Sequence, residues 1–325
     1  MAVVRVLAGL AVACLPISLL GQTPPPGQAG TGQAGTGGQP AAGAPAQPAA
    51  GQPARPQGPP SLGPFKKTIL LIGAARGWQH DSISDAMVTI RDMGKATGMW
   101  DAYLRTDYEW VTKVPVKPTG GVNANAKNLN AFDALVFVNT TGKMDLTDEQ
   151  KQALLAFVHD EGKGFVGVHA ALDANYDWPE YAELIGGWFD QHPWNTFDAP
   201  ILLEDSSFPA TRHLARAFLK RDEIYQAKQW SRDKVNVLLR LDESKLQYEN
   251  NPRVHREDRD FAVAWSKMYG KGRVFYSTLG HTNESWRDPD VTTMYFEAIK
   301  WVLGLTEGST ASHPKVTATS TSTRP

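Results

Sequence analysis

Gly-Phe-Val-Gly-Val-His-Ala-Ala-Leu-Asp, residues 164–173, carries the most weight for the fold. Its first five residues form an uninterrupted apolar run with no polar face, as expected of a strand covered on both sides, and His169 follows at the point where that strand must end. The same grammar recurs on either side. Upstream, Ala134–Val138 is a second apolar run that exits into Asn139-Thr140-Thr141-Gly142, and Thr68–Gly73 is a third. Between the runs lie helical patterns. Ala86, Met87, Ile90 and Met93 recur at helical spacing over about Ser84–Thr97, with Gly98 as the stop, and Thr147 with Gln150 forms a capping box opening a helix to about Glu161. Tyr103 and Leu104 suggest a further strand, and 115–130 is a Gly/Asn-rich loop. Repeated strand-loop-helix order predicts an α/β domain with a mainly parallel, doubly wound sheet and helices on both faces.

The second half is less regular. Helices are expected at Pro179–Ile185, Thr211–Leu219 and Thr293–Leu303, and strands at Ile201–Leu203, Glu223–Gln226, Val235–Leu241, Phe261–Lys267 and Arg273–Thr278. Tyr269-Gly270-Lys271-Gly272 reads as a hairpin turn, which adds antiparallel pairing at one end and makes the sheet mixed.

The ends differ in composition from this body. Arg5 followed by apolar residues from Val6 to Leu20 resembles a secretory signal spanning residues 1–21, too short for a membrane span. The expected destination is the periplasm or the exterior, with no membrane span in the mature chain. The single cysteine, Cys14, lies inside the apolar stretch, a layout that favours cleavage near Gly21 over a lipoprotein site. Cleavage leaves a mature chain without disulfides, thiolate ligands or a cysteine nucleophile. Residues 22–64 are almost wholly Gly, Pro, Gln, Ala and Thr, with Gly-Gln-Ala-Gly-Thr twice in tandem from Gly27, and read as a disordered linker. The Ser/Thr-rich residues 306–325 read as a disordered tail, leaving 65–305 as the folded domain. With 33 basic against 34 acidic residues, nothing points to a nucleic-acid partner.

Five segments together resemble the ThuA-like, or trehalose-utilisation, family: Arg-Gly-Trp-Gln-His-Asp (76–81), the 164–173 stretch, Gly-Gly-Trp-Phe-Asp-Gln-His-Pro-Trp (186–194), Asp-Glu-Ile-Tyr (222–225) and Gly-Lys-Gly-Arg-Val-Phe-Tyr-Ser-Thr-Leu-Gly-His (270–281). The resemblance covers about residues 66–304. It implies a flavodoxin-like sheet of the class I glutamine amidotransferase type and a role in bacterial sugar metabolism, on keto-sugar or disaccharide derivatives. The chain departs from true amidotransferases where it matters most. In those enzymes the turn after a central strand carries a nucleophilic cysteine, served by a histidine and a glutamate behind a late strand. Here that turn carries His169, Ala170 and Ala171, which form no thioester, so glutamine hydrolysis is excluded. His281 with Glu284 behind it resembles the position of the His and Glu pair.

In an open α/β sheet, ligands bind beyond the carboxyl ends of the strands, which is where His80, His169, His192 and His281 are expected. Two chemistries stay open for them. The imidazoles with a carboxylate such as Asp81, Asp173 or Asp177 suit one divalent metal, zinc or manganese, although no metal motif is written locally. Alternatively, His169, His281, Glu284 and Asp173 could move protons beside a ketone without metal. Trp178 and Trp194, with Asp177, are candidate contacts for a small-molecule carbohydrate, since indole faces suit pyranose C–H faces. Each has a plainer reading: a loop histidine is commonly structural, tryptophans fill cores, and Asp173 or Asp177 could cap the helix opening near Pro179. The expected function is an exported enzyme acting on a keto-sugar or disaccharide derivative by hydrolysis, isomerisation or proton abstraction. The alternative is a non-catalytic carbohydrate-binding or scaffolding module, against which stands the number of polar residues at predicted strand ends.

Overall fold

A computed structural model describes residues 67–116 and 126–316. The expected signal segment, the 22–64 linker and the last nine residues of the tail lie outside the described residues. In chain order the elements are β1 (Lys67–Ile72), α1 (Ile83–Thr97), β2 (Trp100–Arg105), β3 (Ala134–Val138), α2 (Asp148–His159), β4 (Gly164–Val168), α3 (Pro179–Ile185), β5 (Trp188–Gln191), β6 (Thr196–Leu203), β7 (Ala217–Glu223), β8 (Gln226–Lys228), β9 (Asn236–Leu241), β10 (Ala262–Tyr269), β11 (Gly272–Ser277) and α4 (Pro289–Val302).

Nine strands form one sheet in the order β2-β1-β3-β4-β11-β10-β9-β6-β7. The first five pair in parallel, and each of the remaining four is antiparallel to its inner neighbour. The parallel half has the flavodoxin-like order 2-1-3-4-5, which places a crevice at the carboxyl ends of β1 and β3, where successive crossovers leave in opposite directions. Both faces are covered. Ile69, Leu71, Val136 and Val166 pack with Ala86, Ile90, Met294 and Ile299 of α1 and α4. Their neighbours in sequence, Leu70, Ile72, Leu135 and Phe165, pack with Leu154, Phe157, Tyr181 and Leu184 of α2 and α3. Two-sided burial is why these strands read as continuous apolar runs.

The capping box of α2 is formed in both directions, and α1 stops at Gly98, at φ +66°. The hairpin at 269–272 joins β10 to β11 with Tyr269 opposite Gly272. Other expectations are corrected. Thr211–Leu219 is not a helix. The Thr211 hydroxyl bonds the carbonyls of Asp205 and Phe208 to close a turn, and from Ala217 the chain runs as β7 against β6, with alternating exposure that places Phe218, Lys220 and Asp222 on the less exposed face. Glu223–Gln226 is not one strand: Glu223 ends β7, Gln226 opens β8, and Ile224 and Tyr225 make the crossing between them. Both are buried there, and the Tyr225 amide bonds the Thr278 hydroxyl. The motif at 186–194 contains β5, which pairs with β8 as a separate two-stranded ribbon. Residues 306–316, assigned by composition to a tail, lie along the domain: Asn236 bonds the Ser309 carbonyl, His313 contacts the Val237 carbonyl and Arg240 bonds the Val316 carbonyl.

Candidate active site

Three of the four singled-out histidines meet at the carboxyl edge of the parallel strands, from the loop after β1 (His80), the end of β4 (His169) and the loop after β11 (His281). The ring of His80 lies 4.9 Å from that of His169 and 5.0 Å from that of His281. The fourth member is Glu223, the last residue of β7. One ligand atom from each of His80, His169, Glu223 and His281 lies within 4.8 Å of the others.

His169 is wholly buried and sits at φ +42°, a left-handed turn unusual for a residue with a β-carbon. The chain therefore turns sharply at the end of β4, and that turn presents an imidazole. Its Nδ1 stands 2.6 Å from the Thr278 carbonyl, which can only accept, so the proton is on Nδ1 and the Nε2 lone pair points into the cluster. Tyr276 holds the His169 carbonyl at 2.7 Å, and the Tyr225 ring packs 4.3 Å from the imidazole. Burial, reinforced by the neighbouring histidines, pushes His169 well below the usual histidine pKa. Burial and then the charge of His281 bring His80 down to about 4. Both are neutral at pH 7, the form that ligates a cation.

Three of the four ligand atoms stand close to the spacing that a divalent ion requires. A tetrahedral site with bonds of about 2.0–2.2 Å separates its ligand atoms by about 3.3–3.6 Å. His169 Nε2 lies 3.1 Å from His281 Nδ1 and 3.7 Å from Glu223 Oε2, and His281 Nδ1 lies 3.4 Å from that oxygen. His80 Nδ1 is buried without a hydrogen-bond partner among the described residues. The carbonyl behind His169 supplies the outer contact that metal-bound imidazoles usually have.

Asp222 fixes His281. Its carboxylate accepts the amides of Glu223, Gly280 and His281 and the Ser285 hydroxyl, at 2.8, 2.8, 3.1 and 2.8 Å. The Thr278 hydroxyl bonds the Glu223 carbonyl. These contacts return the far edge strand of the sheet to the His281 loop, which is how Glu223 arrives.

The cluster opens into a cavity of about 430 Å³, in the range for small-molecule sites. Asp173, Phe189, His192, Tyr225 and Trp78 complete its walls. Burial raises the pKa of Asp173, against the pull of the Tyr176 hydroxyl that donates to it at 2.5 Å. His192 lies outside the four-residue cluster, stacked on Phe189, with Nδ1 3.6 Å from Glu223 Oε1.

The other sequence candidates fall elsewhere. Trp178 is 6 % exposed and stacks on Tyr181 in the core beneath α2, and Trp194 packs among Phe197, Tyr248 and Phe261 with its N–H on the Gln247 carbonyl. Both indoles pack rather than line the cavity. Asp177 pairs with Lys143 at the surface. Glu284 does not partner His281 in the cluster; that place is taken by Glu223, and Glu284 lines an adjoining cavity. The missed residue is Glu223; Trp78, a tryptophan beside a histidine motif that was ranked below Trp178 and Trp194, is 74 % exposed at the cavity mouth. The signal for Glu223 was Asp-Glu-Ile-Tyr, two acids leading into buried residues, already quoted as a family-like segment but not read as a ligand source.

Residues 68–302 match the family model ThuA, described as trehalose utilisation. Among solved structures, a ThuA-like protein from Bacteroides uniformis is 20 % identical, with a TM-score of 0.58 over 76 % of this chain and 95 % of that one. A ThuA-like protein from Parabacteroides merdae is 15 % identical, with a TM-score of 0.54 over 76 % and 97 %. At such identities the likeness concerns the fold. No curated protein gives a significant match.

Proposed function

This chain belongs to the ThuA, or trehalose-utilisation, family, and from that premise we propose that it is an enzyme acting on a keto-sugar or disaccharide derivative at a divalent-metal centre held by His80, His169, His281 and Glu223. The observation that carries the reading is the convergence of three imidazoles, two of them neutral at pH 7, and one carboxylate at the floor of a ligand-sized cavity. Zinc or manganese bound there would act as a Lewis acid toward a sugar carbonyl or hydroxyl oxygen.

The chain's own groups would do the rest. Asp173, its carboxyl pKa raised by burial, is suited to exchange a proton with carbon or oxygen beside a ketone, and the Tyr176 hydroxyl orients it. His192 at the rim can donate to or accept from a sugar hydroxyl. Phe189 and Tyr225 narrow the cavity and exclude water, and the exposed face of Trp78 suits a pyranose. The apolar stretch Val6–Leu20 supports a site of action in the periplasm or outside the cell.

The test is metal content by plasma mass spectrometry on gel-filtered protein, with turnover of a 3-keto-glycoside measured on the same samples. His169→Asn is the variant to compare, because Asn tolerates the left-handed backbone at that position better than Ala. About one ion per chain and turnover in the parent, both lost in the variant, is the expected result. Sugar binding without turnover in the parent would make the protein a binding module instead. No metal after zinc and manganese are offered would remove the metal centre from the reading.

A further inference from the structure

A cavity of about 450 Å³ lies against α3, away from the histidine cluster. Its buried charge is Lys267, on β10 opposite Val274, which in turn pairs with Phe165 near the start of β4. His169 follows the end of β4, so the two sites lie toward opposite ends of the parallel strands. Lys267 is 8 % exposed, whereas the other charged residues of the lining, Glu183 and Lys234, are exposed at its rim together with Gln229.

A buried ammonium normally faces a carboxylate. Lys267 faces none: its ammonium donates to the Glu183 carbonyl, near the end of α3, and makes no ion pair among the described residues. Capping a helix end is a structural duty, but it occupies one of three N–H groups. Trp265, two residues earlier, does the same for the Ile185 carbonyl with an uncharged indole. Burial brings Lys267 down to about 8, with Glu183 drawing it up and Lys234 pressing it down, so it is still largely charged at pH 7. Neither Lys234 nor Glu183 has an ion-pair partner among the described residues. Two ammoniums against one rim carboxylate leave the lining with an excess positive charge, and the buried one is uncompensated. The volume suits a small organic molecule, and Pro179, Ala182 and Met268 add an apolar wall.

We infer that the cavity against α3 is a binding site for a small organic acid, whose carboxylate or phosphate group pairs with Lys267 and Lys234 and whose body lies along Pro179, Ala182 and Met268. Lysines offer point charges rather than the planar fork of arginine, so either oxyanion fits. No residue of the histidine-lined cavity lines this one, so the acid is a ligand distinct from the substrate and the inference is independent of the activity proposed above.

Calorimetric titration of the full chain with glucose 6-phosphate, gluconate and glucose, at fixed ionic strength in a buffer free of phosphate and carboxylate, tests this. The three share a hexose-derived body and differ in the oxyanion. At least one acid should bind about tenfold or more tightly than glucose, as a charge-assisted contact gives, and the tighter of the two identifies the oxyanion. Lys267→Met should bring acid affinity down to that of glucose. Lys234→Ala, at the exposed rim, should weaken it about two- to fivefold. His169→Asn, outside this cavity, should leave it unchanged. Neither acid tighter than glucose, acid affinity that survives Lys267→Met or is untouched by Lys234→Ala, or affinity lost in His169→Asn because the acid sits on the metal centre would each overturn the inference. Should circular dichroism show that Lys267→Met does not fold, Lys234→Ala decides: the two- to fivefold loss sustains the site, and no loss removes it.

Discussion

Asp222 is 1 % exposed and its two oxygens each accept two hydrogen bonds, Oδ1 from the amides of Glu223 and His281, Oδ2 from the Gly280 amide and the Ser285 hydroxyl. Asp222→Asn keeps the shape but puts an NH₂ against at least one backbone N–H in either orientation; the less costly one faces Gly280, since Ser285 can turn to accept. A buried donor left without an acceptor costs about 1–3 kcal/mol. The variant should therefore unfold at lower urea, and because His281 and Glu223 hang on the same carboxylate, metal affinity should fall about 10- to 100-fold. Unchanged affinity in a destabilised variant would show that the two ligands are positioned by other contacts. The residues of the site differed in how readable they were. His169 follows its apolar run at once, and His80 and His281 lie in the loops that leave such runs, so strand-exit reasoning found them. Glu223 belongs to an edge strand that reaches the site only because Asp222 and Thr278 tie the chain back, a long-range contact with no local pattern. Trp178 and Trp194 were misplaced because an indole beside proline and polar residues reads the same whether it faces a ligand or the core.

The loops that carry the site are knitted to one another as elements. Gly142, after β3, is at φ +72°, and a β-carbon there would stand 2.6 Å from the Gly77 amide nitrogen and 2.7 Å from the Arg76 carbonyl carbon. Its amide bonds the Asp173 carbonyl and its carbonyl accepts from Asn175. One glycine thus joins the loop bearing Trp78 and His80 to the loop bearing Asp173. Gly142→Ala combines the strain of a left-handed alanine with displacement of the Trp78 loop, and should cost about 1–3 kcal/mol. Sugar affinity should drop with it, whereas Thr147→Ala, which removes the α2 capping box at a cost of about 1 kcal/mol, should leave sugar affinity alone. Equal effects on binding from the two variants would mean that stability, not loop position, governs the site. The same level of organisation explains what sequence patterning captured. β1, β3 and β4 are buried on both faces and α2 announces its own cap, so local signals and tertiary role agree. At 211–219 they disagree: Leu214, Phe218 and Leu219 can be set on a helix, but Leu219 is 65 % exposed and the segment's role is an edge strand whose register comes from β6.

Across the whole domain, the candidate metal ligands come from both halves of the sheet. His80, His169 and His281 leave the parallel half, and Glu223 ends the antiparallel extension four strands beyond β11. An ion on all four would bind only the conformation in which the extension has closed onto the parallel half, so its binding energy adds to the stability of that closed state. At a free concentration of about 100 times Kd the gain is about 2.7 kcal/mol. In a domain of this size that corresponds to a rise in Tm of about 5–10 °C. Chelation should lower the melting temperature of the parent by this amount and return it on adding zinc or manganese. In Glu223→Gln, which keeps the side-chain volume and removes the charge, the shift should shrink to a small fraction, while Glu284→Gln in the adjoining cavity should keep it whole. A full shift in Glu223→Gln would confine the ion to the three histidines and remove the extension from the metal site; a shift lost equally in Glu284→Gln would move the ion toward the adjoining cavity. Only loss at Glu223 alone, with the histidine half still folded, fits an ion that holds the two halves of the sheet together over the substrate cleft.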